Sequence, residues 1–148
     1  MDSLPALIGY GEAGRAFDVA GEWRAFDALP ERSKAPSLAD ALVGAEAVLC
    51  LVTADQAVAA AGEAAACLTA GAFYFDMNSV APQTKRQAAE LIEVAGGRYV
   101  DVAVMSPVHP KRRAAPLLIS GPHADAALEV LVGLGFTDVH AVGDEVGR

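Results

Sequence analysis

Gly9, Gly11 and Gly14 form a G-x-G-x-x-G array directly after the apolar run Ala6-Leu7-Ile8 and at the start of a helical pattern running to Phe17. Glycines at this spacing suit the holding of a diphosphate by backbone amides. Gly9 lets the chain leave a strand in a tight turn, Gly11 keeps a side chain out of the path of a pyrophosphate, and Gly14 lets the helix pack closely on a sheet. Tyr10, Glu12 and Ala13 fill the intervening positions and line the same turn, with the phosphates expected against the free amides of the helix start. Asp27 ends the short run Trp23 to Phe26, 18 positions after Gly9, close to the spacing of about 20 at which an acid receives adenosine ribose hydroxyls. Turn and acid together point to a dinucleotide. The carboxylate favours NAD over NADP because it repels a 2′-phosphate. Arg32 and Lys34 pull the other way if their loop folds back, although two cations in a polar loop are more often simply solvated.

Other residue types suit chemistry at a second place. Asn78 and Ser79 follow one strand-like run and precede a helical pattern with Pro82 in its first turn, so an amide, a hydroxyl and free backbone donors converge there. Such a corner suits a substrate carboxylate beside the nicotinamide; the plainer alternative makes Ser79 an N-cap and Asn78 a turn residue. Val52 and Thr53 end another apolar run and are expected beside the cofactor, with Thr53 equally able to cap the helix after it. His109, Lys111, Arg112 and Arg113 make a basic cluster that either attracts an acidic substrate or is a solvated loop. Cys50 and Cys67 have neither C-x-x-C spacing nor histidine partners, and His123 and His140 have no acid at triad or metal spacing, so no metal site is expected. No G-x-x-x-x-G-K-[ST] occurs, which argues against an NTPase.

The elements that must position these residues alternate along the chain. Ala6 to Gly9, Trp23 to Asp27, Ala47 to Val52, Ala72 to Asp76, Tyr99 to Val104, Leu117 to Ser120 and Phe136 to Val142 read as strands. Ala54 to Leu68, Pro82 to Ala95 and Ala124 to Leu134 read as helices, with a short one at Leu38 to Val43. Val48 to Val52 is apolar at every position and so is covered on both faces, as in a parallel sheet with helices on either side. The expected architecture is a Rossmann-like, doubly wound, mostly parallel α/β sheet forming a single domain over residues 1–148. Its first helix is shortened, since only about two turns at 3.6 residues each fit between Gly14 and Trp23. The connection from Asp27 to Leu38 reads as a loop, so the third strand of a full Rossmann half is expected to be missing.

With 53% apolar residues, 20% charged residues and a net charge of −8, together with positive mean hydropathy, the chain is a compact globular protein. The acidic balance argues against nucleic acid as a partner. Apolar stretches too short to span a bilayer and a start without a basic, apolar leader argue against a membrane or an export signal, so a cytoplasmic location is expected.

Taken in order, Ile8-Gly9-Tyr10-Gly11-Glu12-Ala13-Gly14, Leu51-Val52-Thr53, Phe75-Asp76-Met77-Asn78-Ser79-Val80-Ala81-Pro82 and Gly97-Arg98-Tyr99-Val100-Asp101-Val102-Ala103-Val104 resemble the β-hydroxyacid dehydrogenases. That group includes 3-hydroxyisobutyrate and 6-phosphogluconate dehydrogenases, and the likeness is greatest to its phosphogluconate-dehydrogenase-like NAD-binding branch. The resemblance implies an NAD(P)-dependent oxidoreductase that moves hydride between a nicotinamide and a small, acidic hydroxyacid-type substrate. It places Asn78 at cofactor and substrate, and Ser79 and Ser106 at the substrate. Where the best-known members have a serine and two glycines, this chain has Met105, Ser106 and Pro107, which implies a different substrate. The family's catalytic lysine lies on a long helix beyond a Val-Gly pair; Lys34, Lys85 and Lys111 do not match it. The implied chain is therefore a cofactor domain without its helical, dimer-forming partner domain and without turnover of its own, exposing apolar residues around Met77, Val80, Met105 and Val108, with a homodimer as one consequence. An imine or ketimine reductase nucleotide domain and a non-catalytic dinucleotide-binding module remain as alternatives.

Overall fold

The structure, a computed structural model, describes residues 4–105 and 112–147. Seven strands form one sheet in the order β2-β1-β3-β4-β5-β6-β7: β1 (Ala6–Ile8), β2 (Arg24–Phe26), β3 (Ala47–Cys50), β4 (Phe73–Asp76), β5 (Arg98–Val104), β6 (Leu117–Ser120) and β7 (Val139–Gly143). Among the described residues five α-helices accompany them: α1 (Glu12–Phe17), α2 (Leu38–Leu42), α3 (Ala57–Ala65), α4 (Pro82–Val94) and α5 (Ala124–Gly133). The expected α/β architecture is what the chain adopts.

The two faces of the sheet follow from side-chain alternation along each strand. Leu7, Leu49, Phe75 and Val100 face a core closed by Phe17, Leu131 and Phe136. Ala6, Val48, Tyr74 and Tyr99 face the other core, closed by Leu42, Ala61, Ala88 and Ile92. All four residues of β3 are buried, as its uninterrupted apolar run requires. Strands β1 to β5 are mutually parallel, whereas β6 runs antiparallel to β5 and β7 pairs parallel with β6. A reversal of this kind needs no crossover helix.

The short first helix has a specific cause. α1 ends at Phe17, and buried Asp18 then accepts hydrogen bonds from Trp23 N (3.0 Å), Tyr10 Oη (2.9 Å) and Lys34 Nζ (2.9 Å). One carboxylate thus turns the chain back into β2 and ties the glycine turn to the loop beyond β2. Burial alone would raise the Asp18 pKa, but its hydrogen bonds to Lys34, Trp23 and Tyr10 outweigh that and hold it below the ordinary carboxylate value. Arg113 completes the corner: Nε donates to Phe17 O (2.6 Å), Nη1 donates to Leu134 O (3.0 Å), and the guanidinium lies over the Trp23 ring at 4.4 Å. Neither role expected of the basic cluster holds for Arg113, which caps two helix ends; His109 and Lys111 fall outside the described residues.

β2 is an edge strand and the following loop takes the place of a further one. Lys34 N and Ala35 N both donate to Ala25 O, at 3.1 and 2.9 Å. The expected absence of a third Rossmann-half strand is observed among the described residues.

A carboxylate held below its unfolded pKa stabilises the fold above that unfolded value, and the contribution fades as pH falls through the folded pKa. Asp18→Asn is therefore expected to lower the unfolding free energy by about 1–3 kcal/mol at pH 7, with the gap to the parent closing below about pH 4. Urea unfolding at a series of pH values from neutral to strongly acid measures this; a gap independent of pH contradicts it.

Candidate functional site

The glycine turn lies where β1 ends against β3. Gly9 has φ +97°, and a Cβ there would sit 2.1 Å from Leu51 O. Its amide donates to Phe26 O at 2.8 Å, joining the turn to the end of β2. A Cβ on Gly14 would sit 2.6 Å from Gly9 O, so α1 is drawn against the turn it leaves. Gly11 differs from both. The nearest atom to a Cβ there is Arg32 Nη1 at 3.5 Å, and the residue faces a cleft of about 460 Å³.

That cleft collects most of the residues singled out in the sequence. Gly9, Gly11, Glu12, Ala13, Gly14, Asp27, Val52 and Thr53 all line it, together with Arg32. Tyr10, expected with them, is not among its lining residues, because both its amide and its hydroxyl are bonded to protein carboxylates. Tyr10 N donates to Asp27 Oδ2 (2.7 Å) and Leu29 N to Asp27 Oδ1 (2.8 Å), so the acid organises the turn at the end of β2 as well as facing the cleft. The Tyr10 side chain turns to Asp18, and burial with that hydrogen bond pushes its hydroxyl up to about 12. Of the two cations weighed against Asp27, Arg32 stands over Gly11, whereas Lys34 is bound to Asp18 and Gly21 O. Thr53 precedes a 3-10 turn, Ala54–Gln56, that leads into α3.

A second cleft, of about 340 Å³, opens beside the first at the carboxyl ends of β4 and β5. Asn78, Ser79, Lys85, Asp101 and Met105 are among its lining residues. Ser79 is exposed there, and it does not cap α4, whose N-cap is Ala81. Asn78 is buried and its amide is engaged with the protein: Oδ1 accepts from Val52 N (2.7 Å), and Nδ2 donates to Asp76 Oδ1 (2.8 Å) and Cys50 Sγ (3.5 Å). Burial pushes the Cys50 thiol up to about 11, which suits a packed residue and not a nucleophile. Ser106 lies outside the described residues. Of the apolar residues expected to be exposed, Met77 is buried, Val80 is half-buried and Met105 is 56% exposed, and Val108 lies outside the described residues.

Sequence reasoning missed the ionic group beneath this cleft. Asp76 and Asp101 are register partners on neighbouring strands, an arrangement that repels unless a cation lies between. Lys85, 4% exposed, is that cation. Its Nζ lies 2.9 Å from Asp101 Oδ1 and 3.5 Å from Asp76 Oδ1, and donates to Asp76 O at 2.7 Å. Tyr99 Oη donates to Asp76 Oδ2 at 2.5 Å, and burial beside that carboxylate raises the phenol pKa far above its ordinary value. A signal for Lys85 was present. It precedes Ala88 and Ile92 by three and seven positions, which places a lysine on the buried stripe of α4. His123 and His140 do have acids near them in space, Glu93 at 3.0 Å and Asp138 at 2.7 Å, both in exposed pairs. Among the described residues no group of three or more metal-ligating side chains forms, and no helix is long and apolar enough to cross a membrane.

With a glycine turn, an acid at the end of β2 and a cleft over the strand ends, comparison with known proteins becomes decisive. The family model for the NAD binding domain of 6-phosphogluconate dehydrogenase matches residues 18–131. The chain belongs to that family. As an NAD(P)-binding domain it is similar to a conserved hypothetical protein from Sinorhizobium meliloti 1021, at 32% identity and a TM-score of 0.89, over 99% of this chain and 56% of that one. The fold is shared with Mycobacterium tuberculosis 3-hydroxyisobutyrate dehydrogenase (18% identity, TM-score 0.80, 99% of this chain and 57% of that one). It is shared too with a reductive aminase from Aspergillus terreus solved with NADPH4, cyclohexanone and allyl amine (17% identity, TM-score 0.77, 99% and 56%). The domain thus spans little more than half the length of these neighbours. No curated protein matches it.

The three glycines of this NAD(P)-binding domain predict a contrast. Gly9→Ala and Gly14→Ala each force a Cβ into backbone and are expected to destabilise by at least about 2 kcal/mol. Gly11→Ala meets only the end of the Arg32 side chain, at an ordinary contact distance, and is expected to change stability by less than about 0.5 kcal/mol. Denaturation midpoints of the three variants measure this, and equal losses at all three positions contradict it.

Proposed function

We propose that the domain holds a nicotinamide dinucleotide along the first cleft and presents its nicotinamide to a small, acidic hydroxyacid-type substrate in the second. In this reading the open face of Gly11 lies against the pyrophosphate, Asp27 accepts the adenosine ribose hydroxyls, and Val52 and Thr53 flank the nicotinamide. Ser79 and Ser106 contact the substrate, while Asn78 holds the wall between the two clefts. The nicotinamide supplies or accepts the hydride; the protein binds, orients and excludes water. The observation that supports this most directly is the difference among the three glycines. Gly9 and Gly14 are glycine because protein fills the space of a side chain, whereas Gly11 has the space and still carries none, as a residue does that a ligand must approach closely.

Calorimetric titration with NAD and NADP tests the reading. Saturable binding by the parent chain is expected, and Gly11→Leu is expected to abolish it while leaving the fold intact by circular dichroism. Binding that survives Gly11→Leu would remove the pyrophosphate from this turn.

The cations of the loop after β2 divide the same way. Lys34 is bound to Asp18, so Arg32, standing over Gly11 in the same cleft as Asp27, is the side chain able to meet a phosphate at the adenosine end. Arg32→Ala is expected to weaken NADP binding about tenfold, the equivalent of one charge-assisted hydrogen bond, and to leave NAD within about twofold. Equal weakening of both would place Arg32 on the pyrophosphate, and no change in either would place it in solvent.

A further inference from the structure

Lys85 is a buried cation lining the second cleft, and none of the roles above uses it. Its ammonium bonds to Asp76 O on β4 and reaches Val102 O on β5 at 3.4 Å, while pairing with Asp101. From Asp76 the connection continues inward. Asp76 Oδ1 accepts from Asn78 N (3.1 Å) and Asn78 Nδ2 (2.8 Å), and Asn78 Oδ1 accepts from Val52 N (2.7 Å). Val52 lines the first cleft, Asn78 and Lys85 the second. The wall between the clefts is therefore held at Asp76, whose Oδ1 takes the bonds from Asn78 and lies 3.5 Å from the Lys85 ammonium, while that ammonium is bonded to its backbone oxygen. Remove that ammonium and two register-paired carboxylates face each other with no cation between, and their repulsion displaces the Asp76 carboxylate. That displacement alters the oxygen that holds Asn78. Among the described residues, Gly9, Gly11 and Asp27, on which the adenosine half of the first cleft is built, show no hydrogen bond to Asp76, Asn78 or Lys85; their own ties run to Phe26, Leu29 and Ser33.

We propose that Lys85 is the positioning residue for the nicotinamide side of the site: it sets the wall formed by Asn78 and Val52 and leaves the adenosine side untouched. The inference rests on the dinucleotide reading given above. It differs from a general stabilising role in one measurable respect, because loss of the wall discriminates between the two halves of a ligand, and loss of fold does not.

The test compares two ligands on one protein: the reduced dinucleotide that binds more tightly, NADH or NADPH, and its counterpart lacking nicotinamide, ADP-ribose or 2′-phospho-ADP-ribose. In Lys85→Met the ratio of the two dissociation constants is expected to shift about tenfold against the dinucleotide, with the ADP-ribose compound bound within about twofold of the parent value. If Lys85→Met does not fold by circular dichroism, Lys85→Met/Asp101→Asn, which removes one anion with the cation, is read by the same ratio and the same criterion. A ratio within about twofold of the parent, whatever the absolute affinities, overturns the positioning role. Failure of the parent chain to bind either ligand overturns the dinucleotide reading itself, and with it the role of Lys85.

Discussion

The approach of the first turn to the third strand is the constraint on which the rest depends. With a Cβ position only 2.1 Å from Leu51 O at Gly9 and 2.6 Å from Gly9 O at Gly14, β1, its turn, α1 and β3 meet at contact distances that only hydrogen can occupy. This closeness puts the α1 start and the carboxyl ends of three strands around one cleft. It also brings Leu51 and Val52 beside the turn, so the segment after β3 forms the far wall. The site is a product of backbone packing first and of side chains second.

Side chains then hold this packing from the outside. Asp18, Lys34 and Arg113 form a corner in which one carboxylate stops α1 and one guanidinium caps both α1 and α5 while covering Trp23. A helix of six residues contributes little stability by itself, and these contacts replace what a longer helix would have gained by burial. The Lys85 group ties strands together in the same way at the second cleft. Each is a charged group whose partners come from segments distant in sequence.

What could be read from the chain alone divides along that line. Features set by local pattern were legible: the glycine turn, the apolar strand Ala47–Cys50, the shortened first helix, and the loop in place of a further strand after β2. The residues lining the first cleft followed from the turn, because strand ends in a sheet of this order converge there. Features set by strand order and long loops were not legible. Arg113 reaches Phe17 across 96 positions of sequence, and as one of several adjacent basic residues it had no local signal separating it from a solvated charge. Asp76 and Asp101 become neighbours only once β4 and β5 are known to pair in that register. Asn78 was singled out by its type and its place after a strand, but type alone cannot tell an amide aimed at a ligand from one closed on Val52 and Asp76.

The loop that folds back on β2 has a further consequence, for what the sheet excludes. A strand at the margin of a sheet is a template on which another chain can add itself, and proteins blunt such margins by shortening them or covering their polar groups. Here the outer strand is three residues long, its central carbonyl, Ala25 O, already takes two amides from Lys34 and Ala35, and Pro30 and Pro36 lie in the covering segment. By giving up one strand, the domain ends its sheet with a margin on which a foreign strand finds little ladder to extend.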